Sequence, residues 1–274
     1  MRENRTERDK EKTQFKFKIV VYSILLIVFV AIFGYCAFEL GMKYGNRKEA
    51  KKNMTELQSS VNDVDETTTT SKTEDEEKYN IPEKNLDFEN LRTTQNADIY
   101  AWINIPDTNV DYPIVQNPTD DFFYLMHNLD GSYGYPGCLY TELQNSKDFT
   151  DKNTVIYGHD MSDGTMFKTL HNFEDQSFFD SHRYIYVYTE AKTYVYEIYA
   201  AYTFSSIHLL NGYDISTDES FIYYVNEALA TAHQTGHVRE GIDIDGATSK
   251  IITLSTCEGM SKNQRYLVQG VLVN

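Results

Sequence analysis

Ser249-Lys250-Ile251-Ile252-Thr253-Leu254-Ser255-Thr256-Cys257 is an apolar, β-branched run that ends on a thiol. Glu258-Gly259-Met260-Ser261-Lys262 follows as a polar loop, and a second apolar run begins at Tyr266-Leu267-Val268. Two such runs joined by a short polar loop predict a β-hairpin. Arg265, the only arginine after Cys257, opens the second run and is predicted to sit beside the end of the cysteine strand. A reactive group at a strand end facing a loop is where scaffolds commonly display chemistry. On residue type alone, Cys257 reads as a small buried hydrophobe, and Arg265 without the cysteine as a solvated surface charge.

Working outward, further short strands are predicted over 137–141, 153–157, 184–188 and 193–204. Tyr194-Val195-Tyr196-Glu197-Ile198-Tyr199 alternates at period two. The chain holds 22 tyrosines, and aromatic residues suit a pleated, half-buried surface. Turn residues punctuate the strands, so a barrel or sandwich fits better than a parallel α/β sheet. Asp111-Tyr112-Pro113-Ile114-Val115 reads as an edge-type strand because proline is tolerated at edges. Phe88-Glu89-Asn90-Leu91 and Ile99-Tyr100-Ala101-Trp102-Ile103 read as short helical pieces. Residues 218–234 carry Phe221, Tyr224, Val225, Ala228 and Leu229 at helical spacing, with Thr217 or Asp218 as cap. That helix is read as a packing element.

Residues 19–38 form an uncharged apolar run of twenty, enough to cross a hydrocarbon core about 30 Å thick. A cleaved signal peptide would carry a shorter apolar region, about 7–15 residues, and a small-residue cleavage site that Gly34-Tyr35-Cys36-Ala37 does not supply. The predicted organisation is a cytoplasmic segment over 1–18, a membrane anchor over 19–40, a polar flexible stalk over 41–83, and a folded domain over 84–274. Seven Lys/Arg precede the apolar run and five follow closely, a slight bias toward a cytoplasmic N-terminus. The stalk reading rests on segments such as Asp65-Glu66-Thr67-Thr68-Thr69-Thr70, which lack the apolar positions that offset ordering entropy.

Net charge is −16, and residues 41–274 hold 18 basic against 36 acidic side chains. Such a body disfavours nucleic acid or anionic lipid as main partners. Three cysteines do not make a disulfide framework, and neither CxxC nor paired-histidine spacing points to structural zinc. Nothing in the sequence calls for a metal or an organic cofactor.

Cys257 also lies far downstream of Tyr157-Gly158-His159-Asp160-Met161, one of seven histidine contexts in the chain. A thiol, an imidazole and a guanidinium together can attack a carbonyl, shuttle its protons and hold the oxyanion. Thr253-Leu254-Ser255-Thr256-Cys257 matches the TLxTC motif of the sortases, with the class B serine at the variable place. The histidine segment, Thr165-Met166-Phe167, Trp102-Ile103-Asn104-Ile105-Pro106, Asp111 to Gln116 and Tyr124-Leu125 resemble class B in the same order. The resemblance runs from about residue 85 to the C-terminus.

That resemblance implies a mainly β fold: a closed sortase-type β-barrel with N-terminal helices and a helix before the cysteine strand. It implies a membrane-anchored cysteine transpeptidase of a Gram-positive cell surface. Cys257 would attack the carbonyl after threonine in a C-terminal sorting signal. His159 would move the protons, and Arg265 with the backbone N–H of Glu258 would hold the oxyanion. Leu125, Tyr157 and Ser255 would line the substrate groove. Asp121, where the family commonly has Asn, would stand in the same groove. The implied partners are surface proteins bearing a sorting signal and an amine acceptor, a peptidoglycan precursor or a pilin lysine. A tethered cysteine protease or amidase and a non-catalytic surface scaffold stay open as rival readings. A papain-like order is disfavoured because here histidine precedes cysteine.

Overall fold

The computed structural model describes residues 3–63, 73–258 and 261–274. The threonine run predicted within the stalk and the Gly259-Met260 pair of the polar loop lie outside the described residues. The chain divides into two units, Met1–Glu49 and Ala50–Asn274.

The first unit belongs to one long helix, α1 (Glu3–Asn62). From Phe15 onward this helix is long and apolar enough to cross a membrane, and Leu25, Ile27, Phe29 and Phe33 present exposed side chains.

In the second unit, the last turns of α1 are not a stalk. Leu57 is 8% exposed and Val61 2%, packed with Trp102, Tyr186 and Val195. After α2 (Glu74–Tyr79), capped by Thr73, Tyr79 and Ile81 join the same cluster. The expectation of a flexible stalk over 41–83 therefore fails on both flanks of the undescribed stretch. A few well-placed apolar side chains suffice to dock a largely polar helix. Lys84 adds a nearly buried ion pair to Asp111 at 2.8 Å, which also accepts from Trp102 Nε1 at 2.7 Å.

α3 (Phe88–Thr94) forms as predicted, with Asp87 as its cap. The segment from Ile99 to Ile103, read as helical from sequence, belongs instead to strand β1 (Ile99–Asn104). Five apolar residues fit either period, and pairing on both sides decides the outcome. β2 (Asp111–Val115) runs antiparallel to β1, with Pro113 opposite Trp102. It is internal rather than an edge, yet β3 (Leu139–Tyr140) pairs only with Ile114 and Val115, so Pro113 interrupts no bond on that side. β4 (Asn153–Tyr157) follows β3, then α4 (Gln176–Ser181), β5 (Tyr184–Tyr188) and β6 (Thr193–Ser205). α5 (Leu209–Gly212), α6 (Asp218–Thr235) and β7 (Gly236–Val238) precede the final hairpin, β8 (Ile251–Glu258) and β9 (Ser261–Leu272).

The strand order β5-β1-β2-β3-β4-β8-β9-β6 closes through β5–β6 pairing into an eight-stranded barrel, with β7 appended to β6. The fold is mainly β, as expected. Alternation sorts the side chains. Ile156, Ile252, Leu254, Tyr266 and Val268 fill the interior, while Val155, Ile251 and Leu267 lie outside beneath α6. α6 is the helix expected before the cysteine strand. Thr217 caps it, and Phe221, Tyr224, Val225 and Ala228 pack on the barrel.

Candidate active site

Strand register places the chemistry. β4 and β8 run parallel with Tyr157 beside Ser255, and Gly158 N–H donates to the Ser255 carbonyl at 3.1 Å. Two residues further along each strand stand His159 and Cys257, at the same end of the barrel. β8 and β9 run antiparallel with Cys257 directly opposite Arg265. Period two does the rest: Tyr157, Ser255, Cys257, Arg265 and Leu267 share the parity that faces outward, and all five line one cleft of about 310 Å³. Leu125 and His159 complete its wall. Thus residues separated by nearly a hundred positions meet because two strand ends coincide.

Gly158 is required where β4 ends. A Cβ there would lie 2.4 Å from Leu139 Cδ2 and 2.7 Å from Phe167 Cδ2, both buried side chains. Dropping the side chain lets the chain pass between them and deliver His159 to the cleft.

The His159 ring is half-buried and held from two directions. Its Nε2 lies 2.6 Å from the Leu125 carbonyl, and Tyr135 meets it edge-on at 4.9 Å between centroids. A carbonyl only accepts, so Nε2 carries the proton and Nδ1 keeps the lone pair of the neutral ring. Burial lowers the imidazole pKa from its ordinary value, partly opposed by the bond to Leu125. Arg265 donates from Nη1 to the Gln264 carbonyl at 2.9 Å. Cys257 is partly exposed, whereas Cys138 is 3% exposed and burial pushes its thiol well above the usual range. Of these two, Cys257 is the one that lines the cleft.

Asp121 is not brought into the cleft lining; its Oδ1 accepts from Leu143 N–H at 2.6 Å and holds the following turn. Two groups that the sequence did not single out lie at the site. Glu142, buried in the cleft floor, pairs with His208 at 2.8 Å, and burial raises its carboxyl pKa against the pull of that histidine. His171 Nε2 lies 3.3 Å from the carbonyl of Cys257 itself. Neither carries a motif; each is read only once the barrel has closed.

The sequence profile of the Sortase domain matches residues 103–273, well over half the chain. The chain belongs to the sortase family. Among curated relatives, Sortase B of Listeria monocytogenes serovar 1/2a is 29% identical over 262 residues, spanning 94% of this chain and 99% of that protein. Among solved structures, Clostridium perfringens sortase B is 30% identical with a TM-score of 0.61, covering 69% of this sortase and 100% of that chain. Sortase B of B. anthracis in complex with AAEK1 is 27% identical with a TM-score of 0.66, covering 85% and 99%. These relatives make the protein a class B sortase, and the barrel with its N-terminal helix matches theirs.

Proposed function

We propose that this sortase is a cysteine transpeptidase that cleaves a C-terminal sorting signal after threonine and transfers the acyl group to an amine. The observation that carries the reading is the register: a thiol faces a guanidinium across one strand pair, with an imidazole at the matching end of the neighbouring strand.

The Cys257 thiol passes its proton to Nδ1 of His159, and the resulting thiolate attacks the threonine carbonyl carbon as the π electrons move to oxygen. Arg265 and the Glu258 N–H hold that oxyanion, in a cleft whose apolar walls strengthen each charge-assisted bond. Collapse of the intermediate breaks the C–N bond. The departing nitrogen takes a proton from Nδ1 of His159, the nitrogen left over once Nε2 is engaged with Leu125. A thioester remains on Cys257. In the second half, neutral His159 accepts a proton from the incoming amine as its nitrogen attacks the thioester, and the cysteine leaves as thiolate. Leu125, Tyr157 and Ser255 form the wall along which the signal peptide lies, and Asp121 acts from behind it by holding the turn at Leu143.

The same reading places residues 1–18 in the cytoplasm, 19–40 in the membrane and the barrel outside the cell, where surface proteins and amine acceptors meet it. Support comes from the exposed apolar face of α1 and from the family's role at cell surfaces. The acceptor class is a peptidoglycan precursor amine or a pilin lysine.

The test is to incubate the full chain, in detergent, with labelled threonine-glycine peptides, with and without added amines. We expect the mass of the fragment ending in threonine on Cys257, released by hydroxylamine, and amine-dependent product. Cleavage indifferent to amine would favour a protease. An adduct on Cys138, or full activity in Cys257→Ala, would overturn the assignment.

A further inference from the structure

β4 stops supporting β8 one residue too early. Its last contact is the Gly158 N–H to the Ser255 carbonyl. Along the same edge of β8, the next carbonyl is that of Cys257, because carbonyl direction alternates with period two. A continuing strand would meet it with the N–H of residue 160, but Asp160 has turned away to bridge Met166. On the other side the ladder with β9 continues through a bulge: the register shifts between Cys257 and Glu258, and Glu258 pairs with Ser261. The carbonyl of the peptide joining the nucleophile to the next residue is therefore not met by β4.

A side chain occupies the gap. His171, in the 3-10 turn Lys168–Glu174, points its Nε2 at the Cys257 carbonyl at 3.3 Å. Glu174 Oε1 sits 2.5 Å from its Nδ1, Asp160 Oδ2 lies 3.8 Å from Nε2, and the ring stacks on Tyr266 at 4.8 Å. A carbonyl only accepts, so the ring nitrogen that faces Cys257 is the donor of that contact. The imidazole is fixed by a carboxylate on one edge and by an aromatic face beneath.

A trans peptide is planar, and its C=O and N–H point in opposite directions. Fixing the Cys257 carbonyl thus fixes where the Glu258 N–H points. We propose that His171 is a positioning residue: it replaces the missing strand at the Cys257 carbonyl and so aims the Glu258 N–H at the oxyanion. This rests on the reading of Cys257 as the acyl-accepting nucleophile.

The experiment separates oxyanion chemistry from thiol chemistry without needing the sorting motif. Full-length protein reacts with p-nitrophenyl acetate, where the Cys257 thiolate attacks the ester carbonyl, forms an acetyl thioester and expels p-nitrophenolate. The same protein reacts with iodoacetamide, where sulfur displaces iodide and no oxyanion forms. His171→Phe keeps the stack on Tyr266 but removes the donor; His171→Gln restores an N–H donor of similar reach. We expect His171→Phe to slow the p-nitrophenolate burst about tenfold, a fraction of what losing a whole oxyanion donor costs. Alkylation of Cys257 and the melting temperature stay near wild type, and His171→Gln recovers most of the burst. A wild-type burst in His171→Phe, an equal fall in both reactions, or no recovery in His171→Gln overturns the positioning role alone. A wild-type protein whose burst is unchanged by Cys257→Ala overturns the nucleophile reading and this inference with it.

Discussion

At the residue scale, His159 ties protonation to folding. Burial lowers its pKa below the ordinary value of about 6.5. Between that lowered value and about 6.5 the unfolded chain binds the proton and the folded chain does not, so stability is complete above this window and falls as pH drops through it. Melting curves of wild type and His159→Gln across pH 4–8 test this: the variant is expected to lose part of the acid-side decline, and parallel curves would refute it. Arg265→Lys keeps the charge but loses the planar fork able to hold two oxygens. Turnover is expected to fall at least about tenfold, which corresponds to about 1.4 kcal/mol of barrier, with an unchanged melting temperature. Near-normal activity would return Arg265 to the role of a solvated surface charge. Cys257, His159 and Arg265 could be proposed as a set before the fold was known because each sits in a local pattern, and the fold brings all three to one cleft. Glu142 and His171 could not: their partners are 66 and 86 positions away. Asp121 was assigned to the groove by its place in that pattern, yet a side chain's direction follows from the turn it holds, here at Leu143.

At the element scale, the end of β4 is the tightest point of the machinery. Gly158→Ala puts a methyl group between Leu139 and Phe167, neither of which has room to yield. Overpacking of this kind costs about 1–3 kcal/mol. Because the displaced segment carries His159, turnover is expected to fall by more than the melting temperature accounts for. Retention of full turnover alongside a lowered melting temperature would separate the glycine from the site. Of the strands that frame the cleft, β8 and β9 were readable because they are long enough to show their period, and β4 because its β-branched run is closed by Gly158. β1 was not, since Ile99 to Ile103 is too short for periodicity, and only its neighbours β2 and β5 decide between helix and strand.

At the scale of the whole molecule, the folded unit begins earlier than polarity suggested. A chain starting at Ala50 is expected to melt close to the full protein, whereas one starting at Ile81 loses Leu57, Val61 and Tyr79 from the core. Leu57 and Val61 alone are worth roughly 3 kcal/mol or more, or about 6–12 °C in a domain of this size. Equal melting temperatures for the two chains would show that the docked turns of α1 contribute nothing. Composition concealed this because an isolated pair of apolar residues in a charged helix looks like chance until the surface that receives them exists.

The parallel register of β4 and β8 has a consequence for how this protein fails. Side chains alternate faces, so sliding β8 by a single residue would carry the thiol from the cleft to the barrel interior and bring Thr256 out in its place. No half-aligned arrangement lies between, and closure through β5 and β6 leaves the strand nowhere to creep. Damage elsewhere in the barrel should therefore not yield a population of sluggish molecules. It should yield fewer molecules, each working at full speed, so that titrating the hydroxylamine-labile acyl adduct on Cys257 in an ageing sample counts survivors.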